Sequence, residues 1–138
     1  MDIMDRLKEP RRNLPIGIQS FERLRRDGYL YVDKTAFVYE LASTGNPYFL
    51  SRPRRFGKSL LLSTLEAYFC GKKELFEGLA IEQLETEWNE HAVLHLDLNA
   101  EDYSEIEGLR NGLELQLRSW EKVYGTSEEG LSYSCRFM

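Results

Sequence analysis

The residues predict an α/β fold, a mainly parallel sheet flanked by helices, and three features carry that expectation. Short apolar runs suited to strands alternate with amphipathic stretches of helical period along the 138 residues. Val93-Leu94-His95-Leu96-Asp97-Leu98 is near-continuously apolar, the pattern of a strand covered on both faces. Tyr48-Phe49-Leu50 runs through an arginine-rich loop into a leucine-rich helix, giving a strand–loop–helix succession.

Taken in order, residues 1–13 are charged and read as a loose leading segment. Leu14-Pro15-Ile16-Gly17-Ile18 is an extended apolar lead-in, and Phe21 and Leu24 begin a short helix or turn that Asp27-Gly28 ends. Tyr29-Leu30-Tyr31-Val32 is a short strand. Asp33 then caps a helix through Ser43, with Phe37, Val38 and Leu41 on its buried side and Gly45 at its stop. Tyr48-Phe49-Leu50 is a buried strand. The helix from Lys58 to Phe69 carries Leu61, Leu62, Leu65 and Phe69, and Gly71 ends it. A turn around Glu74-Leu75-Phe76 precedes an irregular acidic stretch. After the Val93–Leu98 strand, Ser104 and Glu107 have capping-box spacing. They open a long helix with Ile106, Leu109, Leu113, Leu117 and Trp120 on one face, closed by Gly125.

Hydrophobic content of 42% and aromatic content of 12% are those of a folded domain with a core. No apolar run approaches the ~20 residues of a membrane span, so a cytoplasmic location without membrane contact is expected. Cys70 and Cys135 have no paired spacing and read as reduced thiols. His91 and His95 lack the further ligands a metal site needs, and read as surface or strand residues. The net charge of -5 is uneven: residues 1–60 hold twelve Lys/Arg against seven Asp/Glu, and residues 61–138 hold six against sixteen. The basic excess surrounds the arginine-rich loop, while overall acidity disfavours broad nucleic-acid binding.

That loop is Arg52-Pro53-Arg54-Arg55-Phe56-Gly57-Lys58-Ser59. Its last three residues end a phosphate-binding P-loop, G-x-x-x-x-G-K-[ST], whose first glycine is here Arg52. Gly57 lets the backbone approach a phosphate, Lys58 supplies an ammonium, and Ser59 offers a hydroxyl to Mg²⁺ at the positive end of a helix. A Gly-Lys-Ser triplet alone is weak evidence; the strand before it and apolar helix after it strengthen it. Arg52 costs ~1–2 kcal/mol if its φ must be positive. Pro53 biases Arg52 toward an extended conformation, which suggests a stiffened turn. Arg54 and Arg55 are able to add charge-assisted bonds to phosphate. A nucleotide with Mg²⁺ is therefore the expected ligand, in a P-loop NTPase-type fold, with Arg54, Arg55, Phe56, Gly57, Lys58, Ser59 and Leu60 as its binding residues.

The series Leu14–Phe21, Gly28–Thr35, Tyr48–Leu60 and Leu75–Leu79 resembles the AAA-ATPase-like proteins of anaerobic gut bacteria. The resemblance runs from about Leu14 to the C-terminus, with Arg-Pro-Arg-Arg-Phe-Gly-Lys-Ser as its most specific part. It implies that arginine in the first-glycine position is usual, and that Gly57, Lys58 and Ser59 contact ATP phosphates and Mg²⁺. It also implies that larger members continue into a Walker B strand, sensor elements and a C-terminal nuclease-like domain. Residues 14–138 are accordingly expected to be a partial P-loop domain, truncated before the Walker B strand. Two or three strands, against roughly four to six in an ordinary sheet, predict self-association through an uncovered sheet.

Hydrolysis needs a carboxylate on Mg²⁺ and a residue orienting the attacking water. Asp97 ends an apolar run but is followed by Leu98 and Asn99, and a loop-capping acid is the competing reading of it. Little or no turnover by this chain alone is expected. Two other classes stay open. One is a non-enzymatic interaction module that uses Arg52, Arg54 and Arg55 on nucleic acid or an acidic partner, where Tyr48 and Phe49 are strand core and Phe56 is available for stacking. The other is a small-molecule P-loop kinase with an Asp97-dependent rate.

Overall fold

The computed structural model describes residues 12–98 and 106–125. Among the described residues lie five α-helices and one 3-10 turn: α1 Phe21–Arg26, α2 Thr35–Thr44, α3 Lys58–Phe69, the turn Lys73–Phe76, α4 Ile81–Leu84 and α5 Ile106–Tyr124. Two compact units divide the chain, Met1–His91 and Ala92–Met138.

In the first unit, local signals start and stop the helices. Ser20 caps α1, its hydroxyl accepting the Arg23 N–H at 3.3 Å, and Phe21 and Leu24 are fully buried. The free N–H of Phe21 is satisfied across the unit by the Ser63 hydroxyl at 3.0 Å, tying α1 to α3. Asp33 works from one position earlier than a positional cap. Its Oδ1 accepts the Thr35 N–H at 2.8 Å, while Lys34 occupies the cap position without a side-chain bond. Gly45, at φ 63°, ends α2 in the left-handed conformation that glycine adopts without Cβ strain.

Long-range polar bonds clamp the middle of the unit. Asp33 Oδ2 accepts the Ala80 N–H at 2.7 Å, and the Thr35 hydroxyl accepts the Ile81 N–H at 3.1 Å while donating to Asp33. These bonds satisfy backbone donors at the start of α4, a helix of four residues too short to hold itself. Burial pushes the Asp33 carboxyl up, but the Thr35 and Ala80 donors outweigh it and hold it below the usual carboxylate range. Arg25 donates to the carbonyls of Leu75 and Glu77 at 2.7 and 2.6 Å, and Lys72 pairs with Glu22 at 2.7 Å.

The core closes around Phe76, which is fully buried. Its ring lies 4.8 Å from Phe21, 5.2 Å from Trp88 and 6.4 Å from Tyr68. Val38, Ala67, Leu75, Leu79 and Ile81 complete the cluster. On α3 the most buried residues are Thr64 and Ala67, with Leu61 and Leu65 half-buried beside them, whereas Leu62 is exposed. On α2 the buried residues are Thr35 and Val38, and the expected core residue Phe37 is exposed. In both helices the core selects one stripe of a surface that is apolar on more than one side.

The parallel sheet expected from the sequence is not formed: among the described residues there is no β-strand. Tyr29–Val32, Tyr48–Leu50 and Val93–Leu98 carry strand-like side chains, but none pairs with another into a ladder. A strand exists only through its neighbour's N–H and C=O groups, so propensity without pairing leaves an irregular segment. Tyr29 and Leu30 bond instead to the Leu24 and Asn13 carbonyls, at 3.1 and 2.9 Å. Tyr48 and Phe49, expected as strand core, are exposed, Phe49 by 93%.

In the second unit, α5 has the expected extent, with Leu117 buried and Ile106 73% exposed. Gly112, unremarkable in the sequence, is buried on this helix as well. The Tyr124 hydroxyl accepts the Val93 N–H at 3.2 Å, pinning the segment that contains Asp97 at its start. Ser104, Cys135, Leu131–Met138 and most of the leading segment lie outside the described residues.

Candidate functional site

The loop Arg52–Gly57 enters α3 through a left-handed residue, Gly57, at φ 78°. Arg55 is left-handed too, at φ 65°, whereas Arg52 is not. The positive-φ turn thus falls at the fourth and sixth loop residues and makes no demand for glycine at the first. The strain that Arg52 threatened is instead held at Arg55, at ~1–2 kcal/mol for a non-glycine residue.

The first helical bond runs from the Leu61 N–H to the Gly57 carbonyl at 2.9 Å. The N–H groups of Lys58, Ser59 and Leu60 therefore have no acceptor within the helix. They sit at the positive end of a twelve-residue helix dipole. Residues 51–57 and Ser59 are exposed, and Lys58 is half-buried. Lys58 folds back across the loop, its Nζ donating to the Arg52 carbonyl at 2.8 Å. This contact closes the loop into a ring, a partnership that no spacing rule reveals. Arg52, Arg54 and Arg55 are exposed and form no ion pair among the described residues. Phe56 stands exposed between them and the helix.

The structure therefore gathers Arg52 through Leu60 at one helix end. Asp97 belongs to the second unit and is exposed. Among the described residues no group of three or more His, Cys, Asp and Glu side chains is placed to hold a metal ion. His91 packs edge-on against Phe69 at 5.8 Å, and its Nδ1 faces the Asn89 carbonyl at 3.1 Å. Cys70 is a free, half-buried thiol at the end of α3. Among the described residues no helix is long and apolar enough to cross a membrane.

A glycine-led helix N-terminus with lysine at its first position is the local architecture, and the family follows from most of the chain. Residues 15–137 match the AAA-ATPase-like family, described as "Predicted AAA-ATPase", and the chain belongs to that family. It is also 47% identical over 103 residues to an uncharacterized protein in the vnfD 5′ region of Azotobacter chroococcum mcd 1. That match covers 71% of this chain and 20% of the relative, so the chain spans about a fifth of the relative's length. No solved structure matches the chain.

Proposed function

We propose that the chain binds a nucleotide, ATP with Mg²⁺, by its phosphates at the loop Arg52–Leu60. The observation carrying this reading is the α3 N-terminus, where unbonded N–H groups, Lys58 and the exposed Ser59 hydroxyl converge behind left-handed Gly57. These groups fit a phosphate chain: backbone donors and a helix dipole for the oxygens, an ammonium for their charge, a hydroxyl for the metal. Lys58 is held by a carbonyl, a neutral partner that a phosphate outcompetes. Arg54, Arg55 and Phe56 complete the rim. Bound Mg²⁺ would supply charge neutralisation at the phosphates, with Ser59 as its protein ligand.

Calorimetric titration of ATP and ADP into the wild type and Lys58→Ala tests the reading. Saturable binding lost in Lys58→Ala is expected, and equal weak binding by both overturns it. Asp97, the carboxylate proposed for a Mg²⁺ role, is followed by Leu98 and Asn99 and not by a glutamate that would orient the attacking water, so turnover by this chain alone is expected to be negligible. Lys58-dependent hydrolysis above ~1 s⁻¹, the low end of ordinary enzyme rates, would contradict that. An Asp97-dependent phosphoryl transfer to a small molecule would favour a kinase. A cytoplasmic setting belongs to the same proposal.

Three exposed arginines beside exposed Phe56 support a second reading, a contact surface for nucleic acid or an acidic protein. DNA binding that weakens steeply with salt and ignores added ATP favours it. The uncovered sheet expected to drive self-association is not formed among the described residues, and self-association is proposed instead through exposed apolar residues such as Ile16 and Phe49. A monodisperse monomer in light scattering at micromolar concentration would rule that out.

A further inference from the structure

The C-terminal end of α3 carries a recess of a different chemistry in the same unit. It has a volume of about 230 Å³ and is walled by Tyr39 and Ser43 of α2, Tyr68 of α3, and Glu85, Glu87 and Trp88 of the segment after α4. Tyr68 lies ten residues along the helix from Lys58, ~15 Å at 1.5 Å per residue. The recess is thus separate from the phosphate loop.

Its walls combine aromatic faces with oriented carboxylates. Tyr68 meets Trp88 edge-on at 5.8 Å and Phe69 at 5.2 Å. Glu85 accepts the Tyr68 hydroxyl through Oε2 and the Glu87 N–H through Oε1 at 2.9 Å. Glu87 in turn accepts the Asn89 side-chain amide at 3.3 Å. The Tyr68 hydroxyl bond holds the Glu85 carboxyl below its usual range, so it is ionised at neutral pH. Burial, then the Glu85 carboxylate, pushes the Tyr68 hydroxyl up, so it stays a donor. No lysine or arginine lines the recess, and its basic group is His91, turned toward the Asn89 carbonyl. Gly71 makes room for this wall: a Cβ there would sit 2.7 Å from Glu90 Cγ and 3.3 Å from the Trp88 carbonyl.

We propose that this recess binds a small organic cation, an alkylammonium or guanidinium group on a short apolar stem. The positive head is recognised by Glu85 and Glu87 and by the π faces of Tyr39, Tyr68 and Trp88. The stem takes the apolar surface between the rings. A recess of about 230 Å³ has room for a ligand of butylammonium size. The plain competing account is that the Tyr68–Glu85 bond only fastens residues 85–91 to the core. That account predicts changed stability on mutation but no preference for cations.

The experiment uses the full chain carrying Trp120→Phe, which leaves Trp88 as the fluorescent reporter. Titration with n-butylammonium chloride is expected to change Trp88 emission saturably, with a midpoint at least tenfold below that of n-butanol, the neutral isostere, at matched ionic strength. Glu87→Gln, whose side chain makes no bond to the core, is expected to weaken the ammonium at least threefold without altering circular dichroism. Glu85→Gln is expected to weaken it at least tenfold. Nα-acetyl-lysine methylamide distinguishes a free amine from a lysine side chain: its binding extends the site to side chains, and its failure beside butylammonium binding assigns the site to free amines. Equal midpoints for the ammonium and the alcohol, or ammonium binding indifferent to Glu87→Gln, would overturn the proposal.

Discussion

The two ends of α3 are opposites. At its N-terminus every loop residue from Ser51 to Gly57 faces solvent, the N–H groups of Lys58, Ser59 and Leu60 have no acceptor within the helix, and Lys58 folds back onto the Arg52 carbonyl. Toward its C-terminus Thr64 and Ala67 are buried, Tyr68 touches three aromatic rings, and Gly71 lets the 88–90 segment press close. One continuous helix thus joins an open, charged end to a closed, packed one. The closed end, with Leu60 and Leu61, fixes the helix, so the loop from Ser51 to Gly57 stays exposed without packing of its own.

The sharpest way to break this contrast is to damage each end separately. Phe76→Ala removes the ring on which Phe21, Tyr68 and Trp88 converge and is expected to cost ~3–5 kcal/mol in denaturant unfolding of the first unit. A loss below ~1 kcal/mol would show that the closed end does not depend on that ring. Lys58→Ala is expected to do the reverse. ATP affinity should fall by the ~1.5–3 kcal/mol of a charge-assisted bond, while the unfolding midpoint stays put. If the midpoint moved and the affinity did not, the lysine would be structural.

Gly71→Ala asks how tightly the closed end is packed. A left-handed alanine costs ~1–2 kcal/mol. The clash with Glu90 and the Trp88 carbonyl adds to that, so a red-shift of Trp88 emission should accompany the loss. Wild-type stability beside unchanged emission would mean that the 88–90 segment does not rest there. Acid should act mainly through carboxyl groups. Asp33, Glu22 and Glu85 all have lowered folded values, so their stabilisation is present above ~4, the unfolded carboxylate range, and is lost as pH falls through the folded values. Lys72 is raised by its bond to Glu22, so its contribution is present below ~10.4 and lost as pH climbs through the folded value. Unfolding followed from pH 7 to pH 3 should show the decline, with Asp33→Asn flattening part of it. The smallest effect is expected at the open end. Arg55→Gly relieves left-handed strain but adds the ~0.5–1 kcal/mol entropy cost of glycine, so the net change should stay within about 1 kcal/mol of zero.

Legibility in the sequence followed the range of the interaction. The bounds of α3 were readable to the residue, because Gly57 and Gly71 flank a run of helix formers. Those of α2 were readable within two residues, because Asp33 and Gly45 act on their nearest neighbours. The loop's Gly57, Lys58 and Ser59 were readable by spacing. By contrast, α4 is four residues with no period to detect, and it stands because Asp33 and Thr35 reach it from more than forty residues away. The left-handed turn at Arg55, the Lys58–Arg52 contact and the recess around Trp88 left no local mark.

What the residues determined by themselves was therefore the longer helices α2, α3 and α5, their stops, the family and the residue types that meet at the start of α3. Those depend on interactions a few positions apart, which any fold containing the segment must honour. Only the tertiary structure decided that Tyr29–Val32, Tyr48–Leu50 and Val93–Leu98 stay out of a ladder among the described residues, and which stripe of α2 and α3 is buried. Strand pairing and burial are properties of two distant segments at once, and the physical preference of one cannot supply its partner.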